Sequence, residues 1–210
     1  GGIWSDADLR RYEVIERKPL VTGFRDLRIV TAPPPSAGGV TLAETFAQLE
    51  LLGDKAMRPK DATHYWVESL RRAYRDRAAY LGDPDFVNIP LFELLSRGYA
   101  RRLAASIGPK ATPSLKLPPA QPVPEGPHTT HFSIVDAAGN RVAATLSINL
   151  PFGSGFMADG TGVLLNDEMD DFAASTTASN AYGLIGSEAN LIAPGKRPLS
   201  SMSPTFVESP

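Results

Sequence analysis

A chain of 210 residues with 42% hydrophobic and 21% charged side chains has the composition of a globular protein with a real core, which excludes global disorder. Its net charge of −2 lacks the basic excess of a nucleic-acid binder. It holds no cysteine, so disulfides, thiolate metal sites and cysteine nucleophiles are excluded, and no apolar run approaches the roughly 18 residues of a membrane span.

Ser5-Asp6-Ala7-Asp8 is an N-cap followed three residues later by an acid, which predicts a short helix through about Tyr12. Leu27 to Val30 reads as a strand, stopped by Pro33-Pro34-Pro35, and Ser36-Ala37-Gly38-Gly39 reads as a turn or helix lead-in. Leu42, Phe46, Leu49 and Leu52 recur with helical period. A longer helix spans about Ala62 to Leu81, with an apolar stripe of Trp66, Leu70, Ala73, Tyr74 and Ala78. Arg71, Arg72, Arg75 and Arg77 fall mostly on its other faces, which predicts a solvated arginine face. Gly82-Asp83-Pro84 ends it, and a third helix is expected from about Leu91 to Ala105.

Residues 108–127 then hold prolines 109, 113, 118, 119, 122, 124 and 127, the composition of a mobile, partly extended linker. Beyond it the texture is β. Phe132 to Val135 and Arg141 to Ile148 alternate around the turn Asp136-Ala137-Ala138-Gly139-Asn140, which predicts a hairpin. Gly153 to Gly162 reads as a glycine-rich loop, Val163-Leu164-Leu165 as a short buried strand, and residues 173–183 as loop. There are no internal repeats. No signal peptide is visible, and both ends run out beside apparently structured sequence, so a segment of a longer protein is expected.

Three features are able to carry chemistry. At His128-Thr129-Thr130-His131 the linker delivers a threonine pair to a strand. A threonine hydroxyl is a poor nucleophile without a base, and one solution is its own free α-amine, which an internal threonine gains only if the preceding peptide bond breaks. By spacing alone the pair is equally ordinary β propensity. Asn166-Asp167-Glu168-Met169-Asp170-Asp171-Phe172 suits calcium, a substrate ammonium, or simply a solvated acidic loop; it does not match the D-x-D-x-D-G calcium pattern. Arg197 to Thr205 (RPLSSMSPT) is rich in hydroxyls bracketed by prolines, which suits a carboxylate or is an ordinary turn. Gly153 to Ala158 formally fits G-x-G-x-x-A, yet Asp159-Gly160-Thr161-Gly162 breaks the helix that a dinucleotide site requires. His64, His128 and His131 have no metal-ligand spacing, so neither a metal nor a cofactor is expected.

Together these pieces form an ordered series that resembles the γ-glutamyltranspeptidase family. The series comprises Pro33 to Gly39, Thr129-Thr130-His131-Phe132-Ser133, Asp136 to Asn140, Asn149, Phe152-Gly153-Ser154-Gly155, Gly162 to Asn166, Met169-Asp170-Asp171-Phe172 and Lys196 to Thr205. It covers almost the whole chain. The resemblance implies an α+β fold, part of the four-layer α-β-β-α sandwich of an N-terminal-nucleophile hydrolase. It also implies a precursor cut between His128 and Thr129. Residues 1–128 would be the end of its large subunit and 129–210 the start of its small one, the two forming a heterodimer.

By the same resemblance Thr129 is the self-cleaving residue and nucleophile. Ser147 stands where the family often has a threonine whose hydroxyl touches the nucleophile; serine loses the methyl that stiffens χ1. Asn149, Glu168 and Asp171 match positions that hold the substrate α-amino group, with Glu168 where some relatives have glutamine. Ser200 and Ser201 match donors to its α-carboxylate. The implied substrate is a glutathione-like γ-glutamyl amide, with water or an amino acid as acceptor, and the implied location is periplasmic or secreted. The family's carboxylate-binding arginine lies upstream of this segment and its oxyanion glycine pair downstream, so the segment alone is expected to be inactive. Two alternatives stand beside this reading: an amide acylase of β-lactam type on the same scaffold, with Leu150-Pro151 reshaping the pocket wall, and an unprocessed, non-catalytic binding segment.

Overall fold

A computed structural model describes residues 4–117, 129–176 and 187–210, in a mixed arrangement of helices and antiparallel strands. The first helix, α1 (Asp6–Arg11), is the capping-box helix expected: the Ser5 hydroxyl accepts the Asp8 N–H at 3.3 Å and the Asp8 carboxylate accepts the Ser5 N–H at 2.9 Å. It is exposed throughout.

The strand expected at Leu27 is β2 (Leu27–Thr31), and it is the middle of three. β1 (Leu20–Phe24) precedes it through a tight turn, and the distant β7 (Thr205–Glu208) pairs along its other edge, both antiparallel. The pairing of Thr31 with Thr205 places the start of β7, and the loop leading into it, beside the end of β2.

α2 (Gly38–Leu52) and α3 (Ala62–Tyr80) pack side by side, with the last long helix against α2. The single helix expected over Leu91 to Ala105 is two, α4 (Leu91–Leu94) and α5 (Arg97–Ala105). Ser96 breaks it: its backbone is extended and its Oγ accepts the Tyr99 N–H at 3.1 Å, so it caps a new helix instead of continuing the old one. Ala37, Val40, Leu81, Leu94 and Leu199 form the main apolar cluster. Phe24, Phe46 and Trp66 form an aromatic one, with ring centroids 4.8 to 6.4 Å apart.

The solvated arginine face is not found. Arg72 is 2% exposed and Arg77 7%, both inside the molecule. Arg72 Nη1 donates to Glu68 Oε2 at 2.7 Å, and its other nitrogens reach Ser106 and Thr112. Burial alone would push the Glu68 carboxyl up. Hydrogen bonds from the Thr112 hydroxyl, Arg72, the Thr112 N–H and Arg71 outweigh it and bring the group down to about 2. Residues 68, 72 and 76 alternate Glu-Arg-Asp one turn apart, and that spacing lines up charges of opposite sign on the buried side.

The same contacts correct the linker expectation for its first part. Thr112 is held on Glu68 through both its N–H and its hydroxyl, His64 Nε2 meets the Gly108 carbonyl at 2.7 Å, and Leu117 is buried. Residues 118–127 lie outside the described residues, as do residues 177–183 of the expected 173–183 loop.

The expected hairpin is β3 (Thr129–Val135) with β4 (Arg141–Ser147). Asp136 closes its turn, accepting the N–H groups of Ala138 and Asn140. Strand alternation places Thr129, His131, Ser133, Thr145 and Ser147 on one face and Thr130, Phe132, Ile134, Val142, Ala144 and Leu146 on the other. Among the described residues neither face is covered: Phe132, Ile134, Val142 and Leu146 are all exposed. The glycine-rich loop contains a two-residue strand, β5 (Met157–Ala158), paired with β6 (Val163–Leu164). The buried strand expected at Val163-Leu164-Leu165 is a correction, since Val163 and Leu165 are exposed: a two-residue ladder has no layer behind it. Among the described residues no helix is long and apolar enough to cross a membrane.

Candidate active site

Thr129 opens β3, and register places it directly opposite Ser147, the last residue of β4. Their hydroxyl oxygens lie 3.1 Å apart. Ser147 Oγ also accepts the Asn149 N–H at 2.9 Å, which fills one lone pair, and either hydroxyl of the pair is able to donate to the other. Two residues along the same face, His131 is held between Thr145 Oγ1 at 2.8 Å and Ser133 Oγ at 3.2 Å. His128 lies outside the described residues.

Asn149 is buried, with a left-handed backbone that asparagine tolerates better than most residues. Its Nδ2 donates to the Asp167 carbonyl at 3.2 Å, and Asp167 Oδ1 accepts the Leu150 N–H at 3.0 Å. Those two bonds tie the end of β4 to the acidic loop. Beyond Asp167 the chain makes one 3-10 turn, Glu168–Asp171, begun by Asn166 Oδ1 accepting the Glu168 N–H. The four carboxylates of this stretch repel one another at close range. Burial raises the Asp171 carboxyl most, Glu168 adds to it, Arg77 opposes it, and with Asp167 and Asp170 the result is a group near 6. Glu168 is raised as well, by burial and then by Asp167. Negative charge is thereby concentrated on this loop, partly desolvated and incompletely neutralised.

The serine loop is docked on the start of α2. Ser200 N–H donates to the Pro35 carbonyl at 3.0 Å, Ala37 N–H donates to the Ser200 carbonyl at 2.7 Å, and the Ser36 hydroxyl donates to the Met202 carbonyl. Two glycines permit close approaches here. Gly38 is the one at the serine loop, where a Cβ would sit 2.5 Å from Ser203 Cβ; Gly82 lets the end of α3 approach Ala189, where a Cβ would sit 2.1 Å from the Ala189 carbonyl oxygen. Ser200 Oγ accepts the Met202 N–H at 3.1 Å, and Ser201 Oγ accepts from Arg77 Nη2 at 2.9 Å. Each hydroxyl thus accepts one hydrogen bond, and its own proton is not used in either of these bonds.

The acidic loop and the serine loop are joined by residues the sequence reading passed over. Asn190, buried, donates from Nδ2 to the Asp171 carbonyl at 2.8 Å and accepts the Leu199 N–H on Oδ1 at 3.0 Å. Arg77 touches Ser201 and lies within electrostatic reach of Asp171. Asp83, fully buried, accepts the Arg197 N–H at 2.8 Å and anchors the start of the serine loop. The structure therefore brings Thr129, Ser147, Asn149, Glu168, Asp171, Ser200 and Ser201 onto one connected string of contacts. For Arg77 a signal existed: it falls one turn after Ala73, on the continuation of the buried stripe. Asn190 carried none, as a lone asparagine among loop residues.

A family model described as gamma-glutamyltranspeptidase matches residues 1–209. The chain belongs to the γ-glutamyltranspeptidase family. It is 50% identical over 210 residues to a glutathione hydrolase proenzyme of Pseudomonas sp. (strain A14), an overlap covering 99% of this chain and 36% of that protein. A glutathione hydrolase proenzyme of Escherichia coli (strain K12) is 43% identical over 211 residues, again 99% of this chain and 36% of the relative. In fold the chain is similar to a cephalosporin acylase from Bacillus halodurans, with a TM-score of 0.78 at 23% identity over 99% of this chain and 35% of that one. The chain thus spans about a third of the length of the curated relatives it matches.

Proposed function

We propose that the full-length protein containing this chain is a γ-glutamyl hydrolase and transferase acting on glutathione and related γ-glutamyl amides. The observation that carries this reading is the Thr129–Ser147 hydroxyl pair at 3.1 Å, connected to an acidic loop at one end and a hydroxyl-rich loop at the other. The proenzyme names of the relatives support the processing step.

Maturation begins when Thr129 Oγ1 attacks the carbonyl carbon of His128. The peptide C–N bond breaks, the acyl group moves to oxygen as an ester, and water hydrolyses that ester. The residue left at the new terminus carries a free α-amine. In turnover that amine takes the Thr129 hydroxyl proton as the oxygen attacks the γ-carbonyl of the substrate, and returns it to the leaving amine. The γ-glutamyl ester on Thr129 then passes to water or to an amino acid. Ser147 donates to the attacking oxygen. Asn149, Glu168 and Asp171 accept from the substrate ammonium, while Ser200 and Ser201 donate to its α-carboxylate. The upstream arginine and downstream oxyanion donors come from parts of the protein beyond this chain, so residues 1–210 alone do not turn over a γ-glutamyl anilide.

On this reading residues 1–128 close the large subunit and 129–210 open the small one, within the four-layer sandwich of an N-terminal-nucleophile hydrolase. The uncovered apolar face of β3 and β4 supports a further layer there, because a sheet with that much exposed Phe, Ile, Val and Leu buries it against something. The mature protein is placed in the periplasm or outside the cell.

N-terminal sequencing of the smaller fragment of the full-length protein, beside Thr129→Ala, tests the proposal. A terminus at Thr129 that vanishes in the variant is expected; a chain that stays whole in both would sink it. Free glutamate separates the γ-glutamyl site from an acylase: it competes with substrate in the former and not in the latter.

A further inference from the structure

Arg77 has no part in the mechanism above, yet it hydrogen-bonds the serine end of the proposed substrate clamp and lies within electrostatic reach of its acidic end. It rises from the last turns of α3, only 7% exposed, and Nη2 donates to Ser201 Oγ at 2.9 Å. Its Nε has no hydrogen-bond partner among the described residues, and Tyr74 lies beneath the guanidinium at 6.0 Å. Burial lowers its pKa, the mark of a charge held away from water without full compensation. A surface ion pair would not be built this way, since an arginine is rarely buried short of partners unless its charge is used.

The geometry at Ser201 says how it is used. A serine hydroxyl has one proton and two lone pairs. With Nη2 donating into one lone pair, Ser201 is unable to turn its proton toward Arg77, and the O–H is directed to the exposed side of the loop. A donor already accepting a charge-assisted bond is polarised, and its own O–H becomes a stronger donor. Neighbouring Ser200 reaches the same state differently, through the Met202 N–H. The pair is therefore asymmetric: one serine is set by backbone, the other by a buried cation.

We infer that Arg77 is a positioning residue for the carboxylate end of the substrate, acting through Ser201 by fixing the orientation and donor strength of its hydroxyl. This rests on the γ-glutamyl reading and names a residue that reading does not include. Asp171 is faced by Glu168, Asp167 and Asp170 from its own loop and by Arg77 from α3.

The test is a double-mutant cycle in the full-length, self-processed enzyme, with Arg77→Met, Arg77→Lys, Ser201→Ala and Arg77→Met/Ser201→Ala assayed on a γ-glutamyl anilide. Processing of each is followed by gel. Arg77→Met is expected to raise KM about tenfold or more and to change kcat less than about threefold. Arg77→Lys, which keeps charge and a donor, is expected to recover part of the loss. In the Ser201→Ala background Arg77→Met should add less than twofold, because its intermediary is gone. If the two losses multiply, or if Arg77→Met lowers kcat in both backgrounds with KM unchanged, Arg77 is a structural residue only and the inference is wrong. Should Arg77→Met fail to mature, the same cycle with Arg77→Lys decides by the same criterion. A Ser201→Ala enzyme with unchanged KM would instead overturn the clamp itself, an outcome distinct from failure of Arg77.

Discussion

The helical layer and the nucleophile hairpin treat their polar groups in opposite ways. Between α2, α3 and α5 even charged side chains are buried: Glu68 and Arg72 are paired at 2.7 Å, and Glu44 and Asp76 are buried close by. Along β3 and β4 almost nothing is buried, and Thr129, Ser147 and His131 stand on an open face, held by hydroxyl contacts across and along the strands and by the Asn149 N–H on Ser147. One region spends its polar groups on a fixed shape, and the other keeps them available. The acidic and serine loops lie between, and they are the places where a buried residue (Asn190, Arg77) holds an exposed one.

The largest break in this contrast is expected at Glu68. Glu68→Ala leaves Arg72 buried without its carboxylate and Thr112 without its anchor. The loss is about 3–5 kcal/mol, read from the denaturant midpoint. Because the Glu68 carboxyl sits near 2, below its ordinary value, its contribution is present above about pH 4.5 and disappears as pH falls through 2. The wild type and the variant therefore converge in stability at low pH.

Glu44 moves the other way. Both its carboxyl oxygens lack hydrogen-bond partners among the described residues, as do Thr41 Oγ1, Gln48 Oε1 and Ser69 Oγ around it. Burial, then Asp76, outweigh Arg75 and raise the group to about 9. A raised carboxyl favours folding most below its ordinary 4.5 and progressively less as pH climbs to 9. Glu44→Gln removes the titration. It should stabilise the protein on the order of 3 kcal/mol at neutral pH, with a gain that is absent at pH 4 and greatest near 9. A pH-independent difference in melting temperature would contradict it.

How much of this was legible in the residues follows the same division. The capping box at Ser5, the hairpin around Asp136 to Asn140, and the turn or helix lead-in at Ser36 to Gly39 are local signals, and the structure realises each. The break at Ser96 is local too, yet helical periodicity on both sides concealed it. β1 and β7 were not read, since β7 is four residues after a proline and acquires its partner 174 positions away, at Thr31. The buried arginines were misread because a helical wheel shows which residues share a face but not that two faces of α3 are covered, one by α2 and one by residues 106–114. In the candidate site, the residue types were legible through resemblance; of their supports, Arg77 left a signal in its helical spacing, whereas Asp83 and Asn190 left none. Those supports act across long sequence separations, and only the folded chain brings them together.

On the hairpin the expected effects are on chemistry and hardly on stability. Ser147→Ala removes the donor opposite Thr129 and should slow turnover of the full-length enzyme about tenfold to a hundredfold, or about 1–3 kcal/mol of barrier. Ser147→Thr should restore most of it, since the hydroxyl returns with a stiffer χ1. Neither change should move the unfolding midpoint by more than about 0.5 kcal/mol, because the side chain is partly open to solvent. A large stability loss in Ser147→Ala would erase the distinction between the two regions.

The smallest effect, and the one that sharpens the comparison most, is expected at Asp171. Its carboxyl is raised from 3.8 to about 6, so its contribution to folding is full below 3.8 and lost as pH rises through 6. At neutral pH the ionised group is a liability to the fold. Asp171→Asn should therefore stabilise the protein slightly, on the order of 1 kcal/mol, less than the shift alone implies because the carboxyl is only partly buried and water screens it. The same charge is what an ammonium requires. Affinity for free glutamate, measured by calorimetry on the processed enzyme, should fall about tenfold per pH unit below 6 in the wild type and be weak at every pH in Asp171→Asn. Gain of stability together with loss of binding identifies a group held in an unfavourable state for its ligand. Loss of both would mean that Asp171 belongs with Glu68, among the charges that hold the shape.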